Sequence, residues 1–156
     1  MMTTFKKLQE NTDIHELIKS TFDADLALSG GWGYTKETAT IIEALPEGMS
    51  LPQLEHMVTT IRAHLEMNIT QEKENRYGAI NANEREREES NSEGSIFNKI
   101  TYEVTGIKEA LFNAFVKEYK EGYGKEDFDL NTHFKSRQEA TLTREVVHYF
   151  EVSTLQ

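Results

Sequence analysis

Ala140 to Ser153 reads ATLTREVVHYFEVS. Threonine, valine, tyrosine and phenylalanine dominate it, and neither glycine nor proline interrupts it, which predicts one long strand. Side chains alternate along a strand, so Leu142, Arg144, Val146, His148, Phe150 and Val152 share one face. Thr141, Thr143, Glu145, Val147, Tyr149 and Glu151 share the other. The even-numbered face is the more apolar and is expected to look inward. An arginine and a histidine on such a face are costly to bury unless partnered. In one reading the face is only partly covered near Arg144, or an acid such as Glu103 meets the guanidinium across the sheet. In the other, Arg144 and His148 line a polar pocket between sheet and helices that holds an anionic or polar ligand. A one-residue slip of register would invert both readings.

A second alternating stretch lies at Ile96 to Thr105, with Ile96, Asn98, Ile100, Tyr102 and Val104 on one face. If it pairs with the C-terminal strand, Asn98 and Tyr102 join the same face. Gly106 closes this strand. A helix with a broad apolar face follows, to about residue 121, and its Phe112 and Phe115, with Phe150, are candidates to plug the sheet.

Toward the N-terminus, Asp13 and Glu16 have capping-box spacing and open a helix ending near Phe22. Asp23 to Ser29 is a short strand or a loop. Thr35 can cap a second helix over Lys36–Leu45, stopped by Pro46 and Gly48. Ser50 and Gln53 open a third, with Leu51, Leu54, Val58, Ile61 and Leu65 at helical spacing. It reaches about Asn68 and has no breaker before Asn75. Residues 76–82 suit an edge strand. Glu84 to Gly94 (EREREESNSEG) contains no apolar side chain and reads as a polar, mobile connector over 83–95. Lys125 to Arg137 reads as polar and irregular. The expected fold is α+β in one domain over 1–156. Three N-terminal helices and one later helix pack on a small, mainly antiparallel sheet. A mostly helical chain lacking the middle strand is the alternative.

Gly30-Gly31-Trp32-Gly33-Tyr34 is the most unusual run. A glycine-rich turn leading into a helix presents backbone donors to an anion, and Thr35 and Lys36 would sit like a phosphate clamp. The specific motifs fail. Lys36 is followed by Glu37 and not by Ser or Thr, and the dinucleotide fingerprint has Lys36 where its third glycine belongs. The competing readings are a structural turn with Trp32 packed as a lid, or Trp32 and Tyr34 exposed as anchors for a partner. The candidate ligand-binding residues are therefore Gly31, Trp32, Gly33, Tyr34, Arg144 and His148.

Composition narrows the function classes. The chain has 156 residues and a formal charge of −10, spread along its length with no basic block. Nucleic acid and anionic membrane surfaces are thus unexpected partners. Cysteine is absent, which removes disulfides and thiolate chemistry and leans toward the cytoplasm. Met1–Glu10 has no apolar run of signal-peptide length. The five histidines show no metal-ligand spacing, Asp127–Thr132 lacks the glycine of a calcium loop, and no serine-nucleophile motif is present. No metal and no cofactor is implied. The first expectation is a cytoplasmic interaction or regulatory protein without catalysis, self-associating or docking a protein partner. The second is a small-molecule or anion-binding domain, conceivably an enzyme, built on Arg144, His148 and the Gly30–Gly33 loop.

Overall fold

The computed structural model describes residues 8, 13–69, 76–125 and 129–155. The N-terminal stretch apart from Leu8, the prolongation of the third helix over 70–75, and Asp127 of the calcium-like run lie outside them. In chain order the elements are α1 (Ile14–Phe22), β1 (Leu28–Gly30), β2 (Thr40–Ile42), α2 (Leu51–His64), β3 (Tyr77–Ser92), β4 (Ser95–Lys108), α3 (Glu109–Gly122), α4 (Leu130–Ala140) and β5 (Leu142–Glu151). A π-helical turn, Leu65–Ile69, extends α2. The fold is α+β. The strands form an open sheet in the order β1-β2-β5-β4-β3, antiparallel except where β2 runs parallel to β5.

The C-terminal stretch is extended as expected, and its register pairs Ile100 with His148, Tyr102 with Val146 and Asn98 with Phe150. The even-numbered residues of β4 and β5 therefore share one face. Ile100, Tyr102, Val104, His148, Phe150 and Val152 on it are buried. Ile14 and Ile18 of α1 and Leu54, Val58 and Ile61 of α2 complete the same core. α2 starts at the expected capping box: Ser50 Oγ accepts from the Gln53 amide at 3.4 Å, and the Gln53 side chain accepts from the Ser50 amide at 2.8 Å.

Four expectations fail. No helix spans Lys36–Leu45. Thr40, Ile41 and Ile42 are β-branched and alternate buried, half-buried, buried, so they suit a strand wedged between β1 and β5. Glu84–Ser92 is not a connector but the outer half of β3, in register with β4. Glu93 and Gly94, at φ 53° and 86°, form the two-residue turn that joins them, the geometry matched to strand twist. The segment's charges suit a sheet edge, where they discourage pairing with another chain. Third, α4 occupies part of the stretch expected to be irregular. Asp129 caps it, accepting from the Thr132 amide at 3.1 Å and the Thr132 hydroxyl at 2.7 Å. Fourth, Phe112 and Phe115 do not plug the sheet, because α3 contributes no buried residue.

Candidate functional site

All six candidate residues lie in one connected region, in which Gly31, Trp32, Gly33 and His148 are buried and Tyr34 and Arg144 half-buried. The loop between β1 and β2 folds back on itself, with the Gly31 amide donating to the Ala39 carbonyl (3.1 Å) and the Gly33 amide to that of Thr38 (2.8 Å). Gly31, Trp32 and Gly33 are buried, Trp32 completely. Trp32 is therefore packed and not an exposed anchor. No helix starts at Lys36, so the loop faces no helix N-terminus and the clamp geometry does not form.

His148 lies fully buried behind this loop. Thr40 Oγ1 donates to the Gly31 carbonyl (2.8 Å), so it accepts from His148 Nε2 (2.9 Å). His148 Nδ1 then accepts from Thr59 Oγ1 (3.1 Å). This directionality selects the neutral Nε2–H tautomer. Burial, reinforced by the nearby Arg62 charge, holds the imidazole well below its ordinary pKa. The ring also stacks on Phe150, with centroids 4.0 Å apart and planes 8° from parallel.

Arg144 does not meet Glu103, which pairs with Arg85 instead (2.7 Å). Its partner is Glu66 of the π-helical turn, at 3.1 Å. Glu66 also accepts from the Tyr34 hydroxyl at 2.5 Å, and burial beside that carboxylate pushes the Tyr34 pKa up. One helical turn away, Arg62 is 2% exposed; it donates to the carbonyls of Trp32 (3.1 Å) and Val147 (3.0 Å) and stacks on the Tyr34 ring. Arg62 and Glu66 thus tie the glycine loop to β5. Sequence reasoning missed both. Their signal was present, as an arginine and a glutamate four residues apart on or beside the apolar stripe of α2.

Asn98 and Tyr102 share the inner face, as expected, but belong to a neighbouring cluster. Fully buried Glu55 accepts from Asn98 Nδ2 (2.9 Å) and Arg87 Nη1 (2.8 Å). Desolvation raises its pKa despite these two partners. Arg87 also holds Glu84 (2.7 Å), so this ion pair reaches from the interior to the surface.

It surfaces at the rim of a groove of about 890 Å³ along α2. One face of α2 lines it with Gln53, His56, Met57, Thr60, Ile61 and His64; Phe22, Met49 and Pro52 add apolar surface, and Glu47 and Glu84 also line it. His56 Nε2 donates to the Ala82 carbonyl (2.6 Å) and fastens α2 to β3. Phe22 meets the His64 ring edge-on at 6.4 Å, and burial lowers the His64 pKa. Methionine is flexible and polarizable, so such a floor can adapt to apolar side chains of varied shape. Among the described residues no helix is long and apolar enough to cross a membrane. Comparison with protein-family models, curated proteins and solved structures returns no match.

Proposed function

We propose that this chain is a cytoplasmic, non-catalytic interaction protein whose groove along α2 receives an amphipathic helix with basic flanks from a protein partner. One observation carries the reading: the apolar groove follows a single face of α2 from Pro52 to His64. That is about three turns, or about 18 Å, the length over which a docked helix presents anchors at i, i+4 and i+7. Charge supports the basic flanks. Glu47 lines the groove of a chain whose formal charge is −10, and Glu84, also lining it, is held by Arg87. The polar groups of the glycine loop and β5 are engaged with one another, which supports a structural role for them.

A second reading, a small apolar ligand in the same groove, is favoured by its volume, which lies within the range of ligand pockets. The test uses a fluorescein-labelled leucine–lysine peptide of about four helical turns with leucines at helical spacing. Two controls accompany it: the same composition in strict alternation, and a leucine–glutamate counterpart. Saturable one-to-one binding of the helical basic peptide alone is expected, weakened at least tenfold by Met57→Lys. Equal binding of the alternating peptide, or indifference to Met57→Lys, overturns the reading. Uptake of the neutral dye N-phenyl-1-naphthylamine without peptide binding transfers it to the small-ligand alternative.

A further inference from the structure

α1 and α2 cover the even-numbered face of β4 and β5, and the odd-numbered side chains lie on the other. Register sets two neighbouring rows on that outer face. Glu88, Lys99 and Tyr149 stand opposite one another on β3, β4 and β5, and Ser90, Phe97 and Glu151 form the next row. Lys36 reaches the same face from the glycine loop. Its Nζ lies 5.0 Å from the centre of the Phe97 ring, and Lys99 Nζ lies 6.0 Å from that of Tyr149. Lys36, Glu88, Ser90, Lys99 and Tyr149 line a cavity of about 280 Å³.

The two lysines are unlike the rest. Among the described residues Lys36 and Lys99 alone of the lysines are half-buried, and the other six are exposed. Withdrawing an ammonium from water is costly, and a carboxylate partner is the usual compensation. Among the described residues neither lysine forms an ion pair, although Glu88 stands opposite Lys99 on the neighbouring strand. Glu151 is turned to Ser153, whose hydroxyl donates to it at 3.3 Å. The hydroxyls of Ser90 and Tyr149 also have no partner among the described residues. The polar groups on the inner side of β5 are, in contrast, engaged with one another.

We propose that this cavity binds the phosphate monoester of a small hydroxylated compound, that is, a sugar phosphate. Two ammonium groups beside one cavity suit a dianion, which lysine meets as a point charge. With Glu88 included, the lining keeps one net positive charge in a chain of −10. The hydroxyls of Ser90 and Tyr149 are donors for further phosphate oxygens. Glu88 supplies the selection: its carboxylate repels a bare phosphate and accepts from hydroxyls carried beside an esterified one. The volume lies just below the usual range of ligand pockets, about 300–1,000 Å³, and so suits a monophosphate of sugar size. The cavity lies on the opposite face of the sheet from α2 and is independent of the groove there.

Calorimetric titration of the full chain with ribose 5-phosphate, inorganic phosphate and ribose tests this. Ribose 5-phosphate should bind one-to-one with Kd below about 1 mM, inorganic phosphate more weakly and ribose not at all. Lys36→Gln and Lys99→Gln should each weaken the ester by about tenfold, the loss of one charge-assisted contact. Glu88→Gln should weaken the ester and strengthen inorganic phosphate, opposite signs that a loss of folding would not produce. Lys120→Gln, the same charge change on α3, should alter nothing. Amide chemical shifts of the unmodified chain read the site without substitution, and ribose 5-phosphate should move those around Lys36, Ser90, Lys99 and Tyr149. Absence of binding at about 10 mM, inorganic phosphate binding as tightly as the ester, equal losses in Lys120→Gln, or shifts centred elsewhere overturns the proposal.

Discussion

The imidazole of His148 fills the space that a side chain at Gly33 would need. A Cβ built on Gly33 would lie 2.3 Å from His148 Cδ2 and 2.6 Å from the Tyr149 carbonyl oxygen. The Tyr149 amide also donates to the Gly33 carbonyl at 2.8 Å. The glycine loop and β5 are therefore one packing unit, and the two most conspicuous features of the sequence explain each other.

Gly33→Ala is expected to destabilise the protein by more than about 3 kcal/mol, because the new methyl meets a fixed ring and backbone in a left-handed conformation. Gly48→Ala is the control. It has the same backbone hand, φ 79°, but open space around it, so about 1 kcal/mol is expected. Urea unfolding of the two variants measures the difference. Equal losses would mean that backbone strain, and not the His148 contact, sets the requirement.

His148 should make the protein acid-sensitive. Its folded pKa lies below the unfolded value of about 6.5, so the unfolded chain binds a proton first as pH falls. Stability is then lost below about pH 6.5, by up to about 1.4 kcal/mol per pH unit for this one group. His148→Gln should flatten that slope relative to wild type while lowering stability near neutrality. Parallel pH–stability curves for the two proteins would refute the assignment.

The Glu66–Arg144 pair should be asymmetric under substitution. Glu66→Ala leaves the Arg144 guanidinium and the Tyr34 hydroxyl without the carboxylate they share, and about 3 kcal/mol is expected to be lost. Arg144→Met keeps the side-chain packing at a position where the arginine side chain is 22% exposed, so the loss should be smaller. A double-mutant cycle monitored by denaturant unfolding gives the coupling, and a value near zero would remove the pair from the core's energetics.

Glu93→Asn should stabilise the β3–β4 hairpin. Glu93 occupies a left-handed conformation at φ 53°, which asparagine tolerates better, and Asn-Gly is the favoured sequence for this turn. A gain of about 0.5–1 kcal/mol corresponds to a rise of about 1–4 °C in Tm by calorimetry. An unchanged or lower Tm would contradict the turn geometry.

Local chemistry made much of the fold readable. β5 and β4 alternate strongly enough that their faces could be assigned, and the N-cap at Asp13 and the capping box at Ser50 marked α1 and α2. Three segments carried little or misleading local signal. Thr35 resembles a cap before Lys36, but Ile41 and Ile42 are held extended by strands on both sides. The outer half of β3 has no apolar period, because its hydrogen bonds to β4 and the turn at Glu93-Gly94 hold it. α4 has few apolar positions, and its buried residue is a histidine packed against Phe115, Tyr119 and Phe134. The groove was not legible at all, since its walls come from α1, the turn before α2 and β3.

Periodicity, caps and turn residues along the chain thus determined that α1, α2 and α3 are helical, that β4 and β5 are extended and which side of β5 faces inward, because those preferences act between near neighbours. Tertiary structure alone decided the partners. Arg144 meets Glu66 rather than Glu103, and His148 meets two threonines that lie 108 and 89 residues away along the chain. Such pairings depend on which elements stack across the sheet, and no preference between neighbouring residues carries that information.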